Sequence, residues 1–284
     1  MPYGSVYRED LFKDQVVLIT GGGSGMGRCT AHELASLGAH VVLVGRSESK
    51  LQQVQAEIAA DGGAASAHAC DIRDEAAVID TINKVLKAQG RIDGLVNNAG
   101  GQYRSKLEDI STKGFEAVFR TNLLGGFIFM REVYNRWMRD HGGSIVNVII
   151  DMWNGMPNFG HAAAARGGML ALSQTAAAEW ARSGVRVNAL APGVIETSGL
   201  DSYPQQVYDD TVKQIMKVPM SRFGTESEVA AAIVYLLSPA STYVTGACLR
   251  VDGGGPNARQ TLDLQTPVRM PRFDGFHRAG PRRA

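Results

Sequence analysis

The sequence predicts an α/β fold, a doubly wound parallel sheet with helices on both faces. Three observations carry that expectation. Short apolar runs alternate with longer helical patterns along most of the chain. The runs are apolar throughout rather than alternating with polar residues, as strands buried on both faces should be. The first of them, Val16-Val17-Leu18-Ile19, feeds straight into the glycine-dense turn Thr20-Gly21-Gly22-Gly23-Ser24-Gly25-Met26-Gly27, and a helical pattern from Cys29 to Leu37 follows.

The remaining elements repeat this unit. A buried strand at Val41 to Val44 precedes a helix from Ser47 to Ala60, and a short strand at Ala64 to Ala69 leads to Asp71 and a helix from Asp74 to Ala88. Leu95-Val96 carries the next strand into Asn97-Asn98-Ala99-Gly100. A long helix is expected from Ser111 to Asp140, softened at Gly125-Gly126. Strands at Ser144 to Ile150, Val185 to Leu190 and Ala247 to Val251 are separated by helices at His161 to Arg182, Gln205 to Lys217 and Thr225 to Leu237. No composition shift interrupts the pattern before residue 255, so residues 1–255 are expected to form a single Rossmann-like domain. Residues 256–284 form a Pro/Arg-rich extension without helical periodicity, carrying Arg259, Arg269, Arg272, Arg278, Arg282 and Arg283. That composition predicts a solvated tail; the sharper alternative is a flap that closes a pocket or meets an anionic ligand.

Composition narrows the function classes. A formal net charge of +1 in 284 residues gives no global attraction to nucleic acid or to an anionic membrane. The three cysteines are widely spaced, which suits neither a disulfide framework nor a metal cluster. No apolar run approaches membrane-spanning length, and no S-K-L address closes the chain, so a soluble cytoplasmic protein is expected.

A strand, a glycine turn and a helix N-terminus together make a phosphate cradle. Glycine lets the backbone turn sharply and approach an anion, and the first turn of the helix offers unpaired N–H groups. The spacing T-G-x-x-x-G-x-G, with the strand before it and the helix after it, points to a dinucleotide. The acidic residue that usually grips the adenosine ribose hydroxyls would fall at Gly45, and the next residue is Arg46. With no carboxylate to repel a 2′-phosphate and a guanidinium available to hold it, NADP(H) is the expected cofactor, with Ser47 and Lys50 as added contacts.

Taken in order and spacing, these motifs resemble the short-chain dehydrogenase/reductase family. The marks are the Thr20–Gly27 turn, Asp71, Asn97-Asn98-Ala99-Gly100, Asn122, Arg186-Val187-Asn188, Pro192-Gly193-Val194-Ile195-Glu196-Thr197 and Asp252-Gly253-Gly254. The resemblance implies about seven strands, a nicotinamide dinucleotide, and a homotetramer or homodimer formed through the two long helices. It places Gly21, Ser24, Gly25, Met26, Gly27, Arg46, Asp71, Ile72, Asn98, Ala99, Gly100, Arg166, Pro192, Gly193, Ile195 and Thr197 around the cofactor, with Asn97 and Arg166 at the nicotinamide ribose.

The family's catalytic Ser, Tyr and Lys are missing. Their positions fall on Ile150, Ala162 and Arg166, and of the usual four only Asn122 remains. Arg166 can hold ribose hydroxyls but will not relay a proton near neutral pH. Reducing a carbonyl needs a proton on oxygen as hydride arrives, whereas hydride addition to an α,β-unsaturated thioester needs hydrogen bonds to an enolate oxygen. Loss of the phenol therefore favours enoyl reduction. Asn98 to Gln102, Trp137 to Asn147, and His161 with Arg166 are similar to the peroxisomal trans-2-enoyl-CoA and 2,4-dienoyl-CoA reductases, which implies NADPH-dependent reduction of an acyl-CoA-type substrate. Asn122, His161 and Arg166 are the candidate catalytic residues, with His161 a candidate donor to the thioester oxygen or a proton source. Asp151 is a candidate polar group, Tyr203 a further donor, and Met152, Trp153, Met156 and Phe159 candidate walls of an acyl pocket. Two alternatives stand beside this reading: an alcohol or aldehyde dehydrogenase for an apolar, terpenoid-like substrate, and an NADP-binding scaffold without chemistry.

Overall fold

A computed structural model describes residues 3–202, 204–258 and 269–280. Its centre is a seven-stranded sheet in the order β3-β2-β1-β4-β5-β6-β7. The strands are β1 (Val16–Thr20), β2 (His40–Gly45), β3 (Ala64–Ala69), β4 (Gly94–Asn97), β5 (Gly143–Val148), β6 (Val185–Pro192) and β7 (Cys248–Val251), all parallel to their neighbours. The winding reverses between β1 and β4, and such a switch point opens a ligand crevice beyond the carboxyl ends of the strands.

The apolar runs are explained by where their side chains go. Val16, Leu18, Val42 and Val44 enter a core shared with Val78, Ile82, Phe129 and Met169, whereas Val17, Ile19, Val41 and Leu43 enter another with Leu34, Leu51, Ile58 and Ile233. β1 and β2 are thus buried on both faces, whereas the edge strand β3 is half-buried with exposed ends. The helices that supply these cores are α1 (Gly25–Ser36), α2 (Glu48–Ala60), α3 (Glu75–Gln89), α4 (Thr112–Phe119), α5 (Gly125–Val133), α6 (Arg139–His141), α7 (Gly160–Trp180), α8 (Gln205–Ile215) and α9 (Glu226–Leu237).

Helices α4, α5 and α6 are joined through two π-helical stretches, Arg120–Leu124 and Tyr134–Met138. The irregularity expected at Gly125-Gly126 lies one step earlier. The two glycines permit close packing instead: a Cβ on Gly125 would lie 2.7 Å from the Ile72 side chain, and one on Gly126 would lie 2.5 Å from that of Met169.

The C-terminal tail departs most from expectation. Residues 269–280 do not trail in solvent but lie against α1, α2 and α9. Phe276 is 4% exposed and packs with Tyr3, Cys29 and Ala230. Its backbone N–H donates to Ser227 Oγ at 3.0 Å, and Gly4 N–H donates to the Gly275 carbonyl at 3.0 Å. Arg278 grips Asp61 through two hydrogen bonds of 2.7 Å, and Arg272 pairs with Glu196. One buried aromatic, Phe276, plus scattered ion pairs leaves no periodic signature, which is why the sequence read as solvated. Arg259, Arg282, Arg283 and Tyr203 lie outside the described residues.

Candidate active site

The glycine turn is built for close approach. Gly21 has φ +70°, and a Cβ on Gly27 would sit 2.3 Å from the Gly21 carbonyl oxygen. Thr20 staples this turn to the end of β4, its Oγ1 accepting the N–H groups of Asn98 and Ala99 at 3.1 and 3.0 Å. Asn98 Nδ2 in turn donates to the Thr20 carbonyl at 3.1 Å. Ser24 stands at the N-cap of α1 without a side-chain cap bond, so its hydroxyl does not claim the N–H groups of the first turn. Met26 is half-buried against the α1–α9 side of the core.

Beyond β2 and β3 a cavity of about 230 Å³ is lined by Gly21, Gly23, Ser24, Gly45, Arg46, Lys50, Asp71, Ile72, Arg73, Ala99 and Gly100 among others. Asp71 is gripped by Arg73, whose Nε and Nη2 reach its two oxygens at 2.9 and 2.6 Å. Those hydrogen bonds, with the field of Arg46 behind them, hold the Asp71 carboxyl down at about 2. With Asp71 and Arg73 paired to each other, the cavity keeps the charges of Arg46 and Lys50 in excess. Arg73 escaped the sequence reading; its signal was a guanidinium two residues past the strand-end aspartate.

At the end of β5 the three candidate catalytic residues converge on the Gly100-Gly101 loop and the first turns of α7. Arg166 is 8% exposed and donates from Nη1 to the Val148 carbonyl at 2.7 Å. Its Nε has no hydrogen-bond partner among the described residues, and burial brings the guanidinium down to about 10. Gly100 makes room for it, since a Cβ there would lie 1.9 Å from Arg166 Nη2. Asn122, in the first π-helical stretch, clamps Gly101 from both sides, accepting its N–H at 2.9 Å and donating to its carbonyl at 3.0 Å. It shapes the loop above Arg166.

His161 is fully buried, and its Nδ1 accepts the Ala162 N–H at 2.9 Å. In the neutral ring this bond assigns the proton to Nε2, which is left buried with no partner among the described residues. Tyr103 stands edge-on to the imidazole, the ring centroids 4.5 Å apart.

Other expected residues are placed as follows. Ala162 is buried and Ile150 half-buried. Asn97 faces the helix layer, donating to the Gly126 carbonyl at 3.1 Å and to Asn147 Oδ1 at 2.9 Å. Gly193 lets the ends of β6 and β7 meet, its missing Cβ 2.8 Å from Asp252 Cα; Pro192 ends β6, and Ile195 covers Gly224. Thr197 lines a second cavity, of about 460 Å³, with Gly23, Ser24 and Gly25. Asp151 is half-buried, and desolvation together with nearby Asp252 raises its carboxyl. Met152, Met156 and Phe159 are half-buried, whereas Trp153 is 42% exposed beneath the Arg250 guanidinium. No helix among the described residues is long and apolar enough to cross a membrane.

The profile of the enoyl-(acyl carrier protein) reductase family matches residues 21–255. The peroxisomal 2,4-dienoyl-CoA reductase of Danio rerio is 36% identical over 256 residues, covering 89% of this chain and 85% of that protein. A probable 2,4-dienoyl-CoA reductase of Bacillus subtilis is 35% identical over 243 residues, covering 84% and 96%. Among solved structures, a citronellol catabolism dehydrogenase of Pseudomonas aeruginosa is 53% identical, with a TM-score of 0.81 over 89% of this chain and all of that one.

Proposed function

The chain belongs to the short-chain dehydrogenase/reductase family, and on that premise we propose that it reduces the carbon–carbon double bond of a 2-enoyl thioester, with NADPH as the electron donor. One observation carries the reading. Where the family keeps a phenol there is Ala162, and beside it the buried His161 offers an unmatched Nε2–H. A buried donor without an acceptor costs about 1–3 kcal/mol, a cost relieved when an oxygen arrives. The residues fit a dinucleotide: the glycine cradle would be filled by any Cβ at Gly27, and Arg166 keeps an orphaned Nε at the far end.

Bound there, the reduced nicotinamide supplies a hydride. Arg166 and the Gly100 loop orient the ribose, and Asn122 fixes that loop. His161 donates to the thioester oxygen as negative charge grows on it, the role of an oxyanion donor. The α-carbon then takes its proton from water. His161→Ala is expected to lower kcat by about 10²-fold while leaving the NADPH dissociation constant unchanged; steady-state rates beside a binding titration check this.

Preference for NADPH follows from Arg46 and Lys50 around the 230 Å³ cavity. Arg46→Asp should move the NADPH/NADH affinity ratio by about tenfold or more toward NADH. Equal affinities in the unaltered protein would remove the argument.

A second reading, oxidation of an apolar alcohol, is favoured by the relative described as a citronellol catabolism dehydrogenase. NADPH absorbance decay with crotonyl-CoA, decenoyl-CoA and a panel of ketones, run beside NADP+ reduction with a panel of alcohols, separates the two. Turnover confined to the alcohol panel sinks the thioester reading. Tight binding with no turnover on either panel leaves a scaffold.

A further inference from the structure

We propose that residues 269–280 are the outer wall of the dinucleotide groove, a strap whose seating sets how long the cofactor stays. The 460 Å³ cavity has the glycine turn on one side, through Gly23, Ser24 and Gly25, and the strap on the other, through Asp274, Phe276 and Ala279. This rests on the reading that the turn cradles a nicotinamide dinucleotide, and it adds a wall that no motif in the family pattern marks.

The strap is held at separate points by weak means. Thr225 Oγ1 donates to the Phe273 carbonyl at 2.6 Å, and Arg222 Nη2 donates to that of Pro271 at 3.2 Å. Arg28, on the first turns of α1, donates to the Arg278 carbonyl at 3.3 Å and stacks its guanidinium over the Phe276 ring at 5.1 Å. The Asp61 pair with Arg278 is part-exposed, and such pairs contribute little singly. Only Phe276 is anchored by burial. A segment held this way opens locally without global unfolding. Because Arg28 belongs to the helix whose N-terminus faces the cofactor's phosphates, strap and cradle share a support. Arg272 ties the strap also to Glu196, next to Thr197 on the opposite rim.

Gly275 offers a clean wedge. A Cβ there would meet the Gly4 carbonyl oxygen at 2.3 Å, so Gly275→Ala lifts the strap while keeping Phe276 and every charged anchor. Asp61→Ala removes the far anchor independently. Stopped-flow fluorescence of NADPH release from the full chain should show koff rising about tenfold in Gly275→Ala and by a smaller factor of about two to three in Asp61→Ala, with a smaller change in the association rate. In the unaltered protein, saturating NADP should slow hydrogen exchange at the Gly4 and Phe276 amides. An unchanged koff in both variants, or amide exchange indifferent to NADP, overturns the proposal. Equilibrium titration of the unaltered chain keeps the premise separate, since no binding of NADPH or NADH would sink the cofactor reading itself. Enoyl-CoA turnover enters none of these measurements.

Discussion

Replacing Arg166 with methionine is expected to lower kcat/KM by about 10²-fold or more while leaving the apo protein as stable as before, or more so. The two halves of that expectation share one cause. Arg166 is buried without a salt bridge among the described residues; one nitrogen meets the Val148 carbonyl, and Nε meets nothing. Burial lowers its pKa only to about 10, so it remains a cation at neutral pH. An unpaired buried cation is a standing cost, and a methionine of similar length would relieve it. A group that destabilises the empty protein is retained when a ligand repays it, and on the function proposed above that ligand is the ribose of the cofactor. Gly100→Ala probes the same point from outside, because its Cβ would lie 1.9 Å from Nη2 and must push the guanidinium aside. Melting temperature and NADPH titration measured on both variants decide the matter. A large loss of apo stability in Arg166→Met with intact NADPH affinity would make Arg166 a structural strut.

How much of this was legible beforehand depended on how local the cause was. The inner strands were, because a parallel strand buried on both faces writes itself as an unbroken apolar run, as Val16 to Ile19 and Val41 to Val44 do. The start of α1 was placed four residues late because Gly25 and Gly27 read as turn, although close approach to Gly21 and Asn98, not flexibility, requires glycine at 27. The same ambiguity misplaced the irregular turn beside Gly125. In the site, the residue types were readable but their partners were not. That Asn122 clamps Gly101 follows from a π-helical stretch, and the His161 tautomer follows from one backbone N–H. The docked tail was invisible because Phe276 meets Tyr3 and Cys29 across most of the chain length, and no local periodicity encodes such a contact.

Glu33→Gln should stabilise the protein above neutral pH by about 3 kcal/mol at most, and should do little or nothing below about pH 4.5. Glu33 is fully buried in α1, with only the Tyr3 and Ser5 hydroxyls donating to its oxygens, at 3.2 and 3.1 Å. Desolvation raises its carboxyl from 4.5 to about 7, and those two donors only partly offset the rise. Between these pH values the folded chain keeps a proton that the unfolded chain has released, so unfolding free energy falls as pH rises through the window. Above about pH 7 the full cost is present, and glutamine, which carries no charge, escapes it. The neighbouring His32 works in the opposite direction. Burial lowers its imidazole from 6.5 to about 4, so between those values the unfolded chain holds the extra proton and stability rises with pH. The two slopes oppose each other between about 4.5 and 6.5, and a stability profile of the unaltered protein alone would look flat there. Subtracting it from the Glu33→Gln profile cancels the His32 contribution and leaves the carboxyl's. Urea midpoints measured from pH 4.5 to 8.5 should therefore diverge upward through neutrality. Parallel curves would mean that Glu33 is charged and solvated in the folded protein, and the packing of Tyr3 over α1, against which Phe276 seats the strap, would need redrawing.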